Sequence, residues 1–184
     1  MPRSVRILFT SILILILLLG GACWGLLRYA APEEELTLSY EPIDLQSKAL
    51  AMARKLKPEL ILTEEDMNNL VKSSLAQAPL LSPDFTLQGA RVELEGDRLI
   101  VHLNVTYRDR IPVGAVAEYR MSWEEPNVRL QPVSLKVKGI QLPEDRLEPI
   151  LVPLDLRELK VIQVREVIFD GDRIRLLFRA NLQL

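Results

Sequence analysis

The chain has one cysteine and one histidine among its 184 residues, and aromatic residues make up only 5% of it. A lone cysteine excludes a disulfide within the chain. Any histidine-based triad, metal cluster or acid/base pair would have to be built around His102, which we interpret as a residue on the polar face of a strand. The sequence also lacks a glycine-rich phosphate loop and metal-ligand spacing. It therefore predicts no catalytic residue, no metal site and no cofactor.

Acidic residues are missing from the first 32 positions, although the chain carries 25 of them. Only three of the 23 lysines and arginines precede Glu33, which leaves 20 basic against 25 acidic residues, a net charge of −5, beyond that point. Phosphate neutralisation needs a basic face, so we expect no nucleic acid as a partner. Two carboxylates that meet in the fold as a glycosidase pair stay an alternative, although no particular residues indicate one.

The apolar residues are concentrated at the amino end, where Ile7–Leu27 contains no charged residue. A helix needs about 20 residues to cross a hydrocarbon core of about 30 Å, so this run predicts a transmembrane helix over 7–27. Arginines precede it and acidic residues follow it, which places residues 1–6 in the cytoplasm. The prediction is a single-pass protein of the cell membrane, with a stalk over 28–44 and an extracytoplasmic domain over 45–184.

Two alternatives compete with an uncleaved membrane helix. A signal peptide could be cleaved near Ala30-Ala31-Pro32, although that site is a poor match and the apolar run is long for a signal peptide. The run Leu19-Gly20-Gly21-Ala22-Cys23 resembles a lipoprotein signal, in which Cys23 would be diacylated. The favoured interpretation of Cys23 is a small residue inside the membrane helix.

Helical spacing begins after the stalk. Apolar residues from Leu45 to Leu60 fit one face of a helix, interrupted near Pro58. A second helix should begin after Thr63 as N-cap, with Glu64-Glu65-Asp66 in its first turn, and end at Pro79. Helix capping thus accounts for this acidic cluster without a catalytic role.

After Pro83 the apolar spacing changes to two, which is typical of antiparallel strands. Turns are predicted at Gly96-Asp97, at Pro126-Asn127 and at Asp170-Gly171, and Pro132 indicates an edge strand or a bulge. A short helix is predicted over Leu142–Leu151. The sequence therefore predicts an α+β fold in which helices pack on a twisted antiparallel sheet of about six strands.

One weak internal repeat is visible. Residues 92–99 and 167–174 align at a constant offset of 75, each with a Gly-Asp-Arg turn. Duplication of one unit would explain the alignment, and so would two unrelated hairpins with good turn residues.

Some predicted strands are apolar on both faces. Leu176-Leu177-Phe178 and Leu99-Ile100-Val101 are each three consecutive apolar residues. A sheet with one solvent-exposed face does not need apolar residues on that face. Either helices cover this face or it lines a groove for an apolar ligand.

A family resemblance bears on this choice. The helix start Ile61-Leu62-Thr63-Glu64-Glu65-Asp66-Met67-Asn68-Asn69-Leu70, the paired strands and Gly139-Ile140-Gln141-Leu142-Pro143 resemble the YpmS family of bacterial membrane-anchored proteins. The chain is also similar to tubular lipid-binding (TULIP-like) domains, in which a curved antiparallel sheet wraps a long helix and holds acyl chains. The resemblance covers roughly residues 61–182. It implies a curved sheet, a lipid ligand and no enzymatic activity.

The sequence thus predicts a non-catalytic protein that binds or handles membrane lipid in an apolar groove at the bacterial cell envelope. The alternative is a scaffold or accessory subunit that binds an envelope protein. A register shift of one residue would turn every predicted strand side chain to the opposite face. The residues predicted to line the groove are Met67, Leu70, Val71, Val101, Leu103, Tyr119, Leu176 and Phe178.

Overall fold

The computed structural model of the chain describes residues 3–43, 48, 59–77, 80–143, 147–153 and 162–180, and every statement below concerns these residues. For a few helix and strand residues, including 3–13, only the backbone is described. The helices and strands in chain order are α1 Arg3–Ala30, β1 Glu59–Thr63, α2 Glu64–Gln77, β2 Leu80–Ser82, β3 Phe85–Glu95, β4 Arg98–Tyr107, β5 Ile111–Glu124, β6 Asn127–Val137, β7 Ile140–Gln141, β8 Ile150–Pro153, β9 Ile162–Asp170 and β10 Arg173–Ala180.

The amino-terminal helix α1 is continuous over 28 residues and includes the whole apolar run predicted from the sequence. The side chains of residues 14–19 along it are each more than half exposed. Within the residues that the structure describes, no helix combines the length and the apolar character needed to cross a membrane.

The rest of the described chain is mainly antiparallel sheet, so the architecture is α+β. The large sheet has seven strands: β2 to β7 lie side by side in chain order, and β8 pairs with β6. The small sheet has three strands in the order β1-β10-β9. The described residues thus form more strands than the six expected, because β1, β2, β7 and β8 span only two to five residues each. Such short strands show too little alternation to be found in a sequence.

The two hairpins of the internal repeat lie in different sheets and meet at their turns. Gly96 joins β3 to β4, and Gly171 joins β9 to β10, with φ angles of +63° and +61° that favour glycine. The backbone N–H of Gly96 donates a hydrogen bond to the carbonyl oxygen of Gly171 over 2.8 Å. The small sheet is therefore fixed to the large sheet at this end of the strands.

One apolar core lies between the two sheets. We call the face of the large sheet that contributes to this core its interior face, and the opposite face its outer face. Helix α2 contacts β3 of the large sheet and β1, an edge strand of the small sheet, and Met67 and Val71 pack from it against the core. The buried apolar side chains of the core come from both sheets: Leu60, Leu62, Val92, Leu94, Leu99, Val101, Ala117, Tyr119, Met121, Val128, Val164, Val167, Ile174, Leu176 and Phe178.

Several predicted elements differ from the secondary structure of the described residues, and one is confirmed. The helix predicted over Leu142–Leu151 is wrong for its described residues, because 142–143 and 147–149 are not helical and Ile150 and Leu151 belong to strand β8, which pairs with β6. The apolar spacing predicts Leu60 at the end of a helix, but Leu60 lies in strand β1, because Pro58 interrupts the helical pattern before it. Glu59 also lies in β1, and the remainder of that predicted helix falls outside the described residues, apart from Lys48. The irregularity predicted at Pro132 is confirmed, because the register of β5 and β6 shifts there.

Candidate functional site

The strand residues predicted to line a groove all lie on the inward faces of the two sheets. Val101, Tyr119, Leu176 and Phe178 are no more than 8% exposed and belong to the core, and Leu103 packs against it while half-buried. The helix residues Met67 and Val71 also pack against this core, and Leu70 is half-buried. The eight residues are thus brought to one apolar interior or its margin, and their role in ligand binding stays a prediction.

The large sheet has two ends that differ in their surroundings. We call the end with the turns at 83–84, 108–110 and 138–139 the near end, because the last turns of α1 lie there. Tyr29 Oη donates a hydrogen bond to the carbonyl oxygen of Lys138 over 3.2 Å. Trp24, Arg28 and Pro112 line a cleft of about 510 Å³ between α1 and the start of β5. The opposite end, where Gly96 meets Gly171, is the far end.

On β5, burial of the interior-face side chains falls toward the near end. On β5, Met121, Tyr119 and Ala117 are buried, whereas Ala115 and Val113 are only half-buried. On β4, Leu99 is buried and Leu103 is half-buried, although Val105 beyond it is buried again. The apolar interior is therefore less completely covered at Leu103 and at the near end of β5, whereas Leu87 and Val105 of β3 and β4 stay buried there.

The incomplete cover continues sideways onto the last strands of the large sheet. Leu135 and Val137 of β6 are half-buried, and Ile140 of β7, the partner of Val137, is 61% exposed. In β8, Ile150 and Val152 pair with interior-face residues of β6 and are also exposed. We call Leu103, Val113, Ala115, Leu135, Val137 and Ile140 together the open half of the interior face.

The segment that follows α1 crosses the outer face of the large sheet. We call residues 31–43 the strap. The cross-strand row Gly89, Asn104, Gly114 lies beneath it. A Cβ atom at Gly89 would overlap the backbone carbonyl of Leu36, and one at Gly114 would lie 3.1 Å from Pro32 Cα. The two glycines therefore leave the space that the strap occupies.

Hydrogen bonds fix the strap along its length. Asn104 Nδ2 donates a hydrogen bond to the carbonyl oxygen of Glu34 over 2.6 Å. The N–H of Ala90 donates a hydrogen bond to the carbonyl oxygen of Thr37 over 3.4 Å. Further on, the N–H of Glu41 donates to Asn69 Oδ1 of α2 over 3.2 Å. The first residues of the predicted stalk, 28–30, belong to α1, and its described remainder has no regular secondary structure and lies against the domain.

An ion pair joins the strap to the near end. Lys138 Nζ lies 2.8 Å from Glu33 Oε1, and this hydrogen bond, with the charge of the ammonium group, holds the pKa of the Glu33 carboxyl below its usual value. The backbone carbonyl oxygen of Lys138 also accepts the hydrogen bond from Tyr29 Oη. The end of α1, the strap and the near end are thus connected at one residue.

Side chains of α2 occupy the edge of β3. The N–H of Val92 donates to Asn68 Oδ1 over 3.1 Å, and the N–H of Leu94 donates to Glu64 Oε2 over 2.9 Å. With Ala90 bound to the strap, three alternate backbone donors of this edge have partners. An open strand edge would otherwise offer these donors to another chain.

A charged cleft lies beside this edge and has a volume of about 490 Å³. The sequence indicated only that Glu64 favours the helix start, and its bond to β3 could not be read from the local pattern. The cleft is lined by Glu64, Glu65, Asn68, Arg91, Val92, Glu93, Leu94 and Glu95.

The predicted start of α2 is confirmed. Thr63 Oγ1 accepts a hydrogen bond from the N–H of Asp66 over 3.2 Å, and Asp66 Oδ2 accepts one from the N–H of Thr63 over 3.1 Å. Partial burial raises the pKa of the Asp66 carboxyl, but hydrogen bonds from Lys48 and Thr63 outweigh it, so that pKa lies below its usual value.

His102 lies among charged groups on the outer face. Its Nε2 is 3.4 Å from Glu93 Oε1, and Arg91 lies 3.0 Å from the same carboxylate. Among the described residues, no group of three or more His, Cys, Asp or Glu side chains could hold a metal ion. His102 therefore lies on the charged outer face of β4, as predicted, with its Nε2 and the Nε of Arg91 buried among these charged groups.

The open half of the interior face is the feature best suited to bind a ligand. It offers apolar side chains, it continues into the core, and it lies at the end of the sheet nearest α1. No protein-family model matches the chain, and no curated protein or solved structure shows significant similarity to it.

Proposed function

We propose that this is a non-catalytic, membrane-anchored protein that binds lipid acyl chains along the interior face of its large sheet. The observation that carries the proposal is the loss of burial toward α1, which leaves Leu103, Leu135, Val137 and Ile140 half-buried or exposed. Contiguous apolar surface that is not buried within a domain commonly marks a binding site. A lipid tail laid along this surface would complete the apolar contacts of these side chains.

The proposed anchor is α1, with its amino end in the cytoplasm and the sheets on the extracytoplasmic side of the cell membrane. At about 1.5 Å per residue, a 28-residue helix is roughly 42 Å long, which exceeds a hydrocarbon core of about 30 Å. Arginines on the amino-terminal side and Trp24 and Tyr29 near the carboxyl-terminal end support this orientation. A lipid source then lies beside the open half of the interior face.

The energetic argument follows from the length of an acyl chain. Burial of one methylene group stabilises a bound chain by about 0.8 kcal/mol. About ten buried methylenes would contribute on the order of 8 kcal/mol, before the cost of ordering the chain and the side chains around it. A surface that buries only part of a tail can therefore still retain a lipid.

Acyl-chain photocrosslinking tests the proposal on the full chain in vesicles. The probe is a phosphatidylcholine with a photoactivatable group in its acyl chain. Because α1 would also contact lipid, crosslinked peptides are mapped. We expect adducts on the peptides that carry Leu103 and Val137 as well as on α1. Adducts confined to α1 would contradict the proposal.

A matched pair of variants controls for unspecific labelling. Val137 faces the interior, and the neighbouring Lys136 lies on the outer face and pairs with Val116. We expect Val137→Asp to reduce the adducts on β4 and β6, because a carboxylate is costly next to an acyl chain. Lys136→Asp should leave them unchanged.

A second function is favoured by the exposed strand β8. Ile150, Leu151 and Val152 are 38% to 52% exposed at the side of the large sheet. An apolar strand in this position suits a scaffold that binds an envelope protein by strand addition. Crosslinking in cells from a photoreactive residue at position 151 should then trap one dominant protein partner, and capture of none would argue against this role.

A further inference from the structure

The two ends of the large sheet carry different charge. At the far end, the turns and the start of α2 comprise residues 64–66, 95–98, 124–127 and 170–173. These residues include nine acidic and two basic side chains, a net charge of −7. This end is strongly acidic, and it lies away from α1.

At the near end, residues 83–84, 108–110 and 138–139 include two acidic and three basic side chains, and the adjoining Arg28 and Glu33–Glu35 of α1 and the strap bring the net charge to −1. Arg108 pairs with Asp84 over 2.8 Å, and Arg110 is exposed. An anionic surface would therefore repel the far end much more strongly than the near end.

Aromatic and apolar side chains accompany the basic ones at the near end. The rings of Phe85 and Tyr107 lie 5.1 Å apart between centroids, and the Arg108 guanidinium lies 5.1 Å above the Tyr107 ring. Phe85 is 37% exposed, and Ile140 is exposed too. Aromatic rings beside basic groups favour the zone between lipid headgroups and acyl chains.

The position of α1 indicates which surface this end meets. The hydrogen bond from Tyr29 to Lys138 and the cleft between Trp24 and Pro112 place the near end beside the last turns of the helix. Any bilayer that contains α1 would therefore present its headgroups to the near end. The far end, separated by the length of the strands, would point away from the bilayer.

We propose that the near end is a membrane-contact surface that rests on anionic phospholipid headgroups of the bilayer that holds α1. This inference rests on the proposed anchor and adds a second site, made of Phe85, Tyr107, Arg108 and Arg110 together with Ile140, which it shares with the open half. The contact holds the open half of the interior face against the membrane surface, so that an acyl chain can enter without crossing water.

The test uses the full chain in nanodiscs of phosphatidylcholine with or without phosphatidylglycerol. In a Cys23→Ser background, an environment-sensitive fluorophore is attached at Ile140→Cys or, as the control, at Asp172→Cys of the far end. With phosphatidylglycerol present, we expect the probe at 140 to shift to the blue and to be quenched by headgroup-linked nitroxides. The probe at 172 should do neither.

A charge pair sharpens the test. Arg110 at the near end and Arg120 toward the far end are both exposed and lie on the same strand or its turn. Each basic side chain near an anionic surface changes the ratio of membrane-contacting to free states about fivefold. We expect Arg110→Gln to lower this ratio by about that factor, and Arg120→Gln to leave it unchanged.

The outcomes separate this inference from the proposed anchor. Incorporation into nanodiscs is measured first by size-exclusion chromatography. A chain that does not incorporate overturns both proposals. A chain that incorporates but gives the same signal at 140 and 172, or the same response to Arg110→Gln and Arg120→Gln, overturns the membrane-contact surface alone.

Discussion

The near and far halves of the interior face come from the same strands, yet they differ in cover, charge and attachment. At the far end, Leu99, Tyr119 and Met121 are buried and the two sheets are joined through Gly96 and Gly171. At the near end, Leu103 and Val137 are half-buried, and α1 and the strap lie close by. The far half has the features of a structural core, and the near half has those of a surface that still lacks a partner.

The largest expected effect tests this difference on one strand. Leu99→Ala should destabilise the domain by about 2–5 kcal/mol, because it leaves a cavity in packed surroundings. Leu103→Ala on the same face should cost clearly less, since its side chain is only half-buried. Denaturant unfolding of the full chain in detergent, in a Trp24→Phe background so that only Trp123 fluoresces, measures both. Equal losses would show that the near half is as closed as the far half.

The next effect concerns the strap at the near half. In Gly89→Ala the new methyl group overlaps the Leu36 carbonyl, so the strap must move, with a loss of roughly 1–3 kcal/mol. Gly114→Ala is the milder control, because its Cβ would lie 3.1 Å from Pro32. We expect faster amide exchange at Ala90 in the first variant. Unchanged exchange there would mean that the strap adapts without leaving its place.

A smaller effect is expected at the far end, where α2 begins. Thr63→Ala removes the side-chain acceptor of the Asp66 N–H and should cost about 1 kcal/mol. Thr37→Ala is the control, because the strap uses only the backbone carbonyl of Thr37. Thermal unfolding of the two variants should differ, and identical midpoints would contradict the capping role.

The smallest effect depends on pH. The pKa of Asp66 is lowered in the folded chain, so the folded state stabilises the ionised carboxylate more than the unfolded state does. This contribution to stability is present above the usual pKa of 3.8 and is lost as the pH falls through the folded value. Asp66→Asn should flatten the acid side of the stability profile. A profile with the same slope would assign the acid dependence to other carboxylates.

The sequence predicted what depends on neighbouring residues. Alternation placed Val101, Leu103, Tyr119, Leu176 and Phe178 on inward faces, because a strand buries every second side chain on one side. The N-cap at Thr63 and the glycine turns followed from local backbone chemistry. The α+β class followed from the change in apolar period near Pro83.

What the sequence could not predict depends on residues far apart in the chain. Division of the strands into two sheets is decided by which edges meet, and the joint between Gly96 and Gly171 spans 75 positions. The place of the strap depends on Gly89 and Gly114, whose missing side chains have meaning only when Leu36 and Pro32 are near. The gradient of burial likewise required the relative position of the two sheets.

The strap also limits how far the domain can move. Only Ala31 separates the last residue of α1 from Pro32, which already lies over Gly114. Each residue of a free tether would extend its reach by about 3.3–3.6 Å, and this connection contains only one residue. Under the proposed anchor, the sheets cannot bridge to a second membrane or search a distant surface. The protein would act in cis, on lipids or partners that diffuse to it within its own bilayer.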